Sequence, residues 1–371
     1  MVSLVAHERR YPAGSLESSV LTTGPPARAG GYSPMPVTLS DDHCIVNEIG
    51  DAVTSRGVRL SPKPVILDVD PGHDDAVALM LACGHPGLDL LAVTTVAGNV
   101  PLQKTTRNAL RVLSLVGCTD VPVGAGASMP LERPLHTAED IHGKSGLDGP
   151  EEIPEASFGP DERGAVELLA ATLQSSPEPV NLVPVGPLTN IAAFLSEHPD
   201  LKDGVARISL MGGSMGLGNT TPAAEFNMYV DPEAARDVFE SGVPITMSGL
   251  DVTHQAGAGP AERDRLRSTG RVGGVVAGFL DFFAATYESI FGFDAPPLHD
   301  PVAVAAVVEP GLLKTRPMRV DIECESDLTR GETVCDFYGV TGRAPNAEVG
   351  VELDREGFFR LLEAVFRKFP S

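Results

Sequence analysis

The segment Asp68-Val-Asp-Pro-Gly-His-Asp-Asp75 places four aspartates at one turn of the chain, and it constrains the fold more than any other feature. The apolar run before it, residues 65–67, is typical of a short buried strand, and residues 76–82 after it have helical composition. A strand that passes directly into a helix is the repeating unit of α/β proteins. It puts the acidic side chains at the carboxyl end of the strand, where open α/β sheets bind ligands.

From residue 64 onward, short apolar runs alternate with helical stretches. This pattern predicts an α/β fold with an open, mostly parallel, Rossmann-like sheet flanked by helices. The expected strands are residues 65–70, 88–96, 180–185, 208–211 and 244–248, and the expected helices between them are residues 101–116, 163–174, 188–195 and 232–240. Beyond residue 305 we expect a β-hairpin from residues 320–324 and 332–337, a closing amphipathic helix at 355–368, and no catalytic chemistry.

Carboxylates packed this closely repel one another unless a cation holds them, so the corner predicts a site for a hard metal ion. The alternative, that Asp74 and Asp75 cap the helix while Asp68 and Asp70 satisfy a turn, accounts for one or two acids but not four. The segment is not an EF-hand, because a Ca²⁺ loop of that kind needs a glycine at its sixth position and a glutamate at its twelfth. Aspartyl phosphatases share the Asp-x-Asp arrangement but lack a second acidic pair four residues later.

Composition excludes several kinds of partner. The chain has 28 basic and 50 acidic residues, a formal charge of -22, which disfavours binding to nucleic acid and to anionic membranes. Five cysteines without a Cys-x-x-Cys pair suggest neither a zinc site nor a disulfide framework, and are typical of reduced thiols in an intracellular protein. We found no apolar run near the ~20 residues that span a bilayer and no secretory signal, so a cytoplasmic location is expected.

Residues 1–62 are rich in glycine, proline, serine and threonine without a sustained period, which predicts a mostly disordered N-terminal extension. A transit peptide is disfavoured by the acids Glu8, Glu17, Asp41 and Asp42. Residues 63–371 are then expected to form a single catalytic domain. The whole chain of 371 residues is 42% hydrophobic, which is enough for a large core.

Other predicted strands also end in small and polar residues, at 96–99, 185–190, 211–214 and 248–251. Glycine at such corners lets the backbone approach a ligand closely. Because parallel strands end at the same edge of a sheet, these corners and the aspartate corner are expected to face one cleft.

These corners carry a resemblance to the inosine-uridine preferring nucleoside hydrolase family, from about residue 64 to the C-terminus. The motifs that carry it are Asp68-Val-Asp-Pro-Gly-His-Asp-Asp-Ala76, Val96-Ala-Gly-Asn99, Ile141-His-Gly-Lys-Ser-Gly-Leu-Asp-Gly149, Gly186-Pro-Leu-Thr-Asn190, Met211-Gly-Gly-Ser214, Gly218-Asn219, Ala224-Glu-Phe-Asn227 and Leu298-His-Asp-Pro301. The resemblance implies hydrolysis of the N-glycosidic bond of purine or pyrimidine ribonucleosides to free base and ribose, by a homodimer or homotetramer.

The resemblance also implies a Ca²⁺ ion held by Asp70, Asp75, Asp300 and the main-chain carbonyl of Val185. Such oxygen ligands suit a hard cation. On local evidence alone, Asp300 would be read as a helix N-cap before Pro301. Asp74 matches the general base, which would act on a water made more acidic by the ion; an oxocarbenium-like transition state demands little from the nucleophile.

The resemblance assigns ribose and base contacts to Asn99, Met211, Asn219, Glu225, Asn227, Phe283 and Tyr287. Each asparagine alone would be read as a turn residue, and Phe283 with Tyr287 as a core pair at helical spacing. Glu225 and Asn227 are favoured as functional because nothing in the surrounding sequence requires two buried polar side chains.

Protonation of the leaving base is assigned to His299, beside a metal ligand, and to His142, in a glycine-rich and mobile loop. Two departures from the family pattern bear on this assignment. His73 replaces a commonly aliphatic residue, is expected to point away from the ligands, and receives no role. Phe283 stands where some relatives carry a hydroxyl-bearing aromatic residue, which leaves the base preference open.

Two other functions compete. A non-catalytic nucleoside- or metal-binding descendant is disfavoured by the intact Asp74, which a binder would not need. A metal-dependent phosphatase on a similar sheet is disfavoured because the matching corners contain no lysine or arginine cradle for phosphate.

Overall fold

The aspartate corner lies near the middle of an eight-stranded sheet. The computed structural model describes residues 61–149, 153–293 and 295–370, together with two short strands nearer the N-terminus, and the statements on the fold refer to these residues. The strands are β1 (Cys44–Val46), β2 (Ala52–Thr54), β3 (Lys63–Val69), β4 (Leu88–Thr95), β5 (Val123–Ala125), β6 (Val180–Pro184), β7 (Val205–Met211), β8 (Ile245–Ser248), β9 (Leu313–Met318), β10 (Val320–Ile322), β11 (Thr333–Cys335) and β12 (Ala347–Leu353).

Helices connect most of the strands of the large sheet. They are α1 (His73–Gly84), α2 (Leu102–Val116), α3 (Glu139–His142), α4 (Ala165–Ser175), α5 (Thr189–Glu197), α6 (Phe226–Val230), α7 (Pro232–Phe239), α8 (Leu250–Thr253), α9 (Pro260–Arg267), α10 (Arg271–Phe291), α11 (Asp300–Val308) and α12 (Arg355–Phe366). Three short 3₁₀ helices span Pro199–Gly204, His254–Ala256 and Pro310–Leu312.

The order of strands in the large sheet explains where its cleft forms. The order is β5-β4-β3-β6-β7-β8-β12-β9, and every pairing is parallel except that of β12 with the edge strand β9. From β3 the chain builds outward through β4 and β5, then returns to place β6 on the other side of β3. The carboxyl ends of β3 and β6 therefore flank a topological switch point, the usual ligand crevice of such sheets.

Two apolar clusters cover the two faces of the sheet. One cluster packs helices α1, α2, α9, α10, α11 and α12 together through side chains such as Leu79, Phe279 and Phe358. The other joins α4, α5 and α7 with side chains such as Phe194 and Phe239. Strands buried on both faces read as continuous apolar runs, which is why β3 is recognisable in the sequence.

The predicted fold class is confirmed, with element boundaries shifted by a few residues. The five predicted strands became β3, β4, β6, β7 and β8, and the predicted hairpin is the antiparallel pair of β10 and β11. The closing helix is α12. The sequence analysis missed β5, β9 and β12.

Two expectations about the rest of the chain have different outcomes. The predicted disorder of residues 1–62 falls mostly outside the described residues, which include β1 and β2 as a short antiparallel pair. By length and composition α10, with its 21 residues, is apolar enough to cross a membrane, although the sequence analysis expected no apolar run of that size. In the fold α10 buries one face, which includes Val272, Val276, Phe279 and Leu280.

Candidate active site

The aspartate corner is folded by its own hydrogen bonds. The backbone N–H groups of Asp70 and Gly72 donate to the two carboxylate oxygens of Asp75, at 3.0 and 2.9 Å. These bonds fix the turn between β3 and α1, and negative charge is favourable at the start of a helix. Asp75 therefore does cap the helix, as the simpler interpretation held, but it also stands within a larger acidic cluster.

Asp70 is enclosed by backbone that only glycine allows. A Cβ atom on Gly98 would overlap the Asp70 carboxylate, and one on Gly186 would lie 2.5 Å from its Oδ1 atom. The N–H of Asn99 donates to Asp70 Oδ2 at 2.7 Å. Asp70 Oδ1 is buried and has no hydrogen-bond partner among the described residues, so one charged oxygen is left for a ligand.

Asp300 joins the corner from a distant part of the chain. It is the first residue of α11, and carboxylate oxygens of Asp74, Asp75 and Asp300 lie within 4.8 Å of one another. Asp75 and Asp300, 225 positions apart in the sequence, therefore share one acidic cluster. We call Asp70, Asp74, Asp75 and Asp300 the acidic floor.

Burial makes this cluster electrostatically costly without a cation. Burial, and then the charge of Asp75, raise the pKa of Asp74 to about 8 and that of Asp70 well above its usual value. Burial, and then Asp74, raise the pKa of Asp300, and burial raises the pKa of Asp75. Burial is the largest influence on all four carboxyl groups; a neighbouring carboxyl group comes next for Asp70, Asp74 and Asp300, and the backbone N–H groups of Gly72 and Asp70 come next for Asp75. No lysine or arginine is among the main influences. Oxygen donors with a free buried lone pair and excess negative charge fit a hard divalent cation.

Asp68, the first acid of the motif, has a structural role in the sheet. Its Oδ1 accepts hydrogen bonds from Thr94 Oγ1 at 2.6 Å and from Asn190 Nδ2 at 2.7 Å. Burial raises its pKa to about 7. The corner thus divides its acids between a structural residue on β3 and the acidic floor.

A cavity of about 200 Å³ opens above the floor. Its lining includes every predicted site residue except Asp70 and Asp75. The predicted residues on the lining are Asp74, Asn99, His142, Val185, Met211, Asn219, Glu225, Asn227, Phe283, Tyr287, His299 and Asp300. The structure therefore brings residues from α1 to α11 to one place.

The polar groups of this lining also hold the local backbone. Asn227 Nδ2 donates to the carbonyls of Val185 and Met211, at 2.8 and 3.2 Å. Glu225 is the N-cap of α6, accepts from Asn227 N–H at 3.0 Å, and also accepts from Gly213 N–H at 2.9 Å. The expectation that nothing nearby requires these two side chains was wrong, because the helix start and two strand ends depend on them.

The remaining asparagines behave in the same way. Asn99 Nδ2 donates to the Asp70 carbonyl and to Asp75 Oδ2, at 3.1 and 3.3 Å. Asn219 Oδ1 accepts from Phe226 N–H at 2.9 Å. Their other polar atoms remain available to hydroxyl groups in the cavity.

His299 stands in a chain of side-chain hydrogen bonds. Its Nδ1 lies 2.7 Å from Thr253 Oγ1, and its Nε2 lies 3.0 Å from the Tyr287 hydroxyl. Burial, and then His254, lower the pKa of His299 to about 3, and burial raises that of Tyr287 well above its usual value. Both ring nitrogens are engaged, so a proton leaving His299 Nε2 has the Tyr287 hydroxyl as its neighbour.

His142 is tethered rather than freely placed. Its ring stacks on Phe283 with centroids 5.3 Å apart, and its Nδ1 lies 3.1 Å from His73 Nδ1. Asn108 Nδ2 ties the following segment to the corner through the carbonyls of Pro71 and Ser145. Burial lowers the pKa of His142 well below its usual value. We call His142, Phe283, Tyr287 and His299 the aromatic wall.

Comparison with known proteins places this site in a family. The sequence model of the inosine-uridine preferring nucleoside hydrolases matches residues 65–360. The chain is 52% identical over 301 residues to the pyrimidine-specific ribonucleoside hydrolase RihA of Citrobacter koseri, across 81% of this chain and 96% of that protein. RihA of an Escherichia coli O157:H7 strain is 51% identical over the same shares.

The chain belongs to the inosine-uridine preferring nucleoside hydrolase family. A solved purine-preferring ribonucleoside hydrolase from Gardnerella vaginalis has a TM-score of 0.77 and 34% identity, across 82% of this chain and 98% of that one. The resemblance and the fold class are thereby confirmed. So is the expectation of a hydrolase that acts on N-glycosyl bonds.

The sequence analysis missed part of this nucleoside hydrolase cavity. Ile290 and Phe291 extend the helical spacing of Phe283 and Tyr287 along α10, a signal that could have found them. The missed residues are His136, Thr137, Ala138, Asp140, Ile141, Thr220, Phe226, Ile290 and Phe291. The packing of His73 was also missed: its ring lies against the rings of His142 and Phe283.

Proposed function

We propose that this nucleoside hydrolase cleaves the N-glycosidic bond of pyrimidine ribonucleosides with the aid of a bound Ca²⁺ ion, and releases ribose and the free base. The observation that carries the proposal is the acidic floor beside a cavity that is lined both by polar groups and by the aromatic wall. The pyrimidine preference is drawn from the relatives that are 51–52% identical and named for it.

Asp70, Asp75, Asp300 and the carbonyl of Val185 would hold the ion. The unpartnered Asp70 Oδ1 supports this set, and so does its composition of carboxylate and carbonyl oxygens. When bound, a divalent cation supplies positive charge that acidifies water and binds hydroxyl oxygens. Calcium fits better than magnesium because it accepts more ligands at flexible positions.

Asp74 is proposed as the general base. It lies on the cavity lining, and the backbone N–H groups of His299 and Asp300 stabilise its charged form. Its carboxylate takes the proton from the attacking water while the water oxygen bonds to C1′ of the ribose. The N-glycosidic bond breaks at the same time, and its electron pair leaves with the base.

The polar groups of the cavity lining would bind the ribose. Asn99, Asn219, Glu225 and Asn227 offer amide and carboxylate groups already oriented by the backbone. Met211 offers an apolar surface beside them. Groups fixed in this way need no rearrangement as positive charge develops on the sugar.

The aromatic wall would receive the base. Phe283 offers a flat apolar surface, and the Tyr287 hydroxyl can give its proton to the departing base while His299 Nε2–H donates a hydrogen bond to the tyrosine oxygen. The proton that Asp74 took from water restores the hydroxyl after the base has left. Burial keeps His299 neutral at rest, which suits a group that shares rather than holds a proton.

Three further properties complete the proposal. Residues 63–371 would act as a single catalytic domain behind an N-terminal extension. The protein would work in the cytoplasm as a homodimer or homotetramer, as the family resemblance implies. The formal charge of -22 disfavours nucleic acid and membrane partners.

A substrate panel tests the function. The full chain would be assayed for reducing sugar released from uridine, cytidine, inosine and adenosine, first as purified, then after chelation, and then with Ca²⁺ or Mg²⁺ restored. We expect uridine and cytidine to be cleaved fastest, chelation to abolish turnover, and Ca²⁺ to restore it. Nucleoside binding without turnover in the presence of Ca²⁺ would instead identify a non-catalytic binding protein.

A further inference from the structure

His142 stands at the end of a hydrogen-bonded chain that starts outside the cavity. His73 Nε2 lies 2.7 Å from the carbonyl oxygen of Asp148, and His73 Nδ1 lies 3.1 Å from His142 Nδ1. Both rings are buried, with 1% and 6% of their surfaces exposed. We call His73 and His142 the histidine pair.

The carbonyl end of this chain fixes the protons of both rings. A carbonyl oxygen only accepts, so His73 Nε2 must carry a proton to bond Asp148. No carboxylate in the described residues hydrogen bonds to either ring, so the buried rings are neutral. His73 Nδ1 is then a bare acceptor, and His142 Nδ1 must carry the proton between them.

A competing contact does not change this result. The backbone N–H of His73 points at the same His142 Nδ1 atom over 3.3 Å. That N–H belongs to the first turn of α1 and has no acceptor within the helix. Its contact with His142 Nδ1 is the longer of the two. If it claimed the lone pair of His142 Nδ1, the shorter contact between the histidines would join two bare nitrogens, which repel.

The remaining nitrogen of His142 is thereby left as an acceptor. Neutral imidazole carries one proton, so with Nδ1 protonated the Nε2 atom has a free lone pair. His142 lines the cavity, and its Nε2 has no hydrogen-bond partner in the described part of the chain. Phe283 stacks on one side of the ring, and a Cβ on Gly72 would lie 2.6 Å from Nδ1, so the ring has little freedom to turn.

We propose that His73 is a positioning residue that holds His142 as a hydrogen-bond acceptor, and that His142 selects nucleobases with an N–H group on the edge it faces. Uracil offers N3–H and cytosine offers its exocyclic amino group. This inference rests on the proposed function and makes it more specific. His142 recognises the nucleobase by a hydrogen bond, and proton transfer is left to His299 and Tyr287.

The tautomer can be measured directly. In the full-length protein labelled with ¹⁵N-histidine, the resonances of protonated and bare ring nitrogens are well separated. Assignment by comparison with His142→Gln should show a protonated Nδ1 and a bare Nε2 in His142. A protonated Nε2 would overturn the proposal whatever the activity of the protein.

Specificity gives the second test. Uridine and N3-methyluridine would be compared by kcat/KM in wild type, His73→Phe and His73→Asn. Phe keeps an aromatic ring but has no acceptor, whereas the Asn carbonyl oxygen can take the place of His73 Nδ1. We expect the preference for uridine to fall about tenfold in His73→Phe, the worth of about one hydrogen bond, and to recover in large part in His73→Asn.

His85→Phe is the matched control, because His85 is a buried histidine at the other end of α1 and its ring accepts a hydrogen bond from the nearby Gly87 N–H. It should keep the wild-type preference. An equal loss in His73→Phe and His73→Asn would mean that His73 acts by packing alone. Failure of the wild type to cleave any nucleoside would sink the proposed function, whereas cleavage with a protonated Nε2 would sink only this inference.

Discussion

The acidic floor and the aromatic wall of the same cavity are built in different ways. Three members of the floor come from six consecutive residues, and the bonds that shape it join Asp70, Gly72 and Asp75 within one turn. The wall draws His142 from α3, Phe283 and Tyr287 from α10, and His299 from the start of α11. A contiguous motif fixes the floor, but the wall exists only when three helices dock correctly.

The two regions also use their polar atoms differently. Floor carboxylates bond to the backbone, as Asp75 does with two N–H groups. Wall groups bond mainly to other side chains, as His299 does with Thr253 and Tyr287. We therefore expect changes in the floor to abolish chemistry or metal binding, and changes in the wall to alter proton transfer and choice of base.

The largest loss of activity is expected from a change in the floor, Asp74→Asn. The amide keeps the size of the carboxylate and can still accept the backbone hydrogen bonds, but it cannot take a proton from water. We expect kcat for uridine to fall about 10³-fold, within the range of general-base effects, with Ca²⁺ retained. Reducing-sugar assays and metal analysis of the purified protein measure the two quantities.

Asp89→Asn is the control for this variant, because Asp89 is an exposed acid on β4, remote from the carboxyl end of that strand. Its kcat should equal that of wild type. Wild-type turnover by Asp74→Asn would remove Asp74 from the role of base and leave it as one more member of the metal site.

The sequence could predict most of the floor but only part of the wall. Gly98 and Gly186 follow strand ends in recognisable corners, and both proved to enclose Asp70. The contact of His73 with His142 spans 69 positions and depends on how the loop before residue 150 folds, so no local pattern reveals it. The edge strand β9 was missed for a similar reason: four of its six residues are exposed, and it forms no apolar run.

The next prediction concerns the pH dependence of stability that the buried carboxyl groups Asp68 and Asp74 of the aspartate corner should cause. Without a cation, the folded-state pKa values of Asp68 and Asp74 are about 7 and about 8, against 3.8 for the ordinary group. A carboxyl with a raised folded-state pKa stabilises the fold while it is protonated. That stability is complete below about pH 4 and is lost as the pH rises through the folded-state values.

Chelated protein should therefore lose about 7 kcal/mol of unfolding free energy between pH 5 and pH 8, measured by urea denaturation, because Asp68 contributes over about two pH units and Asp74 over about three. Added Ca²⁺ should restore most of this at pH 8 and little at pH 5. Asp68→Asn should reduce the slope, because it removes one of the two groups. A chelated protein that is more stable at pH 8 than at pH 5 would show that the floor carboxyls are not buried as described.

A smaller effect is expected from Asp70→Asn, which tests the floor as a metal site. The variant keeps an acceptor for the Asn99 N–H but removes the charge beside the unpartnered Oδ1. We expect Ca²⁺ to bind about 100-fold more weakly by isothermal titration, and excess Ca²⁺ to recover much of the activity. Asp68→Asn, two residues earlier on the same strand, should change the affinity only slightly, and an equal loss in both variants would argue against a specific ligand.

The smallest effect is expected in the wall, from Tyr287→Phe. The change removes the hydroxyl beside His299 Nε2 and leaves the ring packed 4.5 Å from Phe283. If the hydroxyl relays a proton to the leaving base, kcat should fall about tenfold, while KM, Ca²⁺ affinity and the free energy of unfolding change little. Tyr338→Phe, a change at an exposed position on the chain after β11, serves as the control. A rise in KM at constant kcat would assign Tyr287 to binding of the base, and the difference between floor and wall would then be one of substrate recognition rather than of proton transfer.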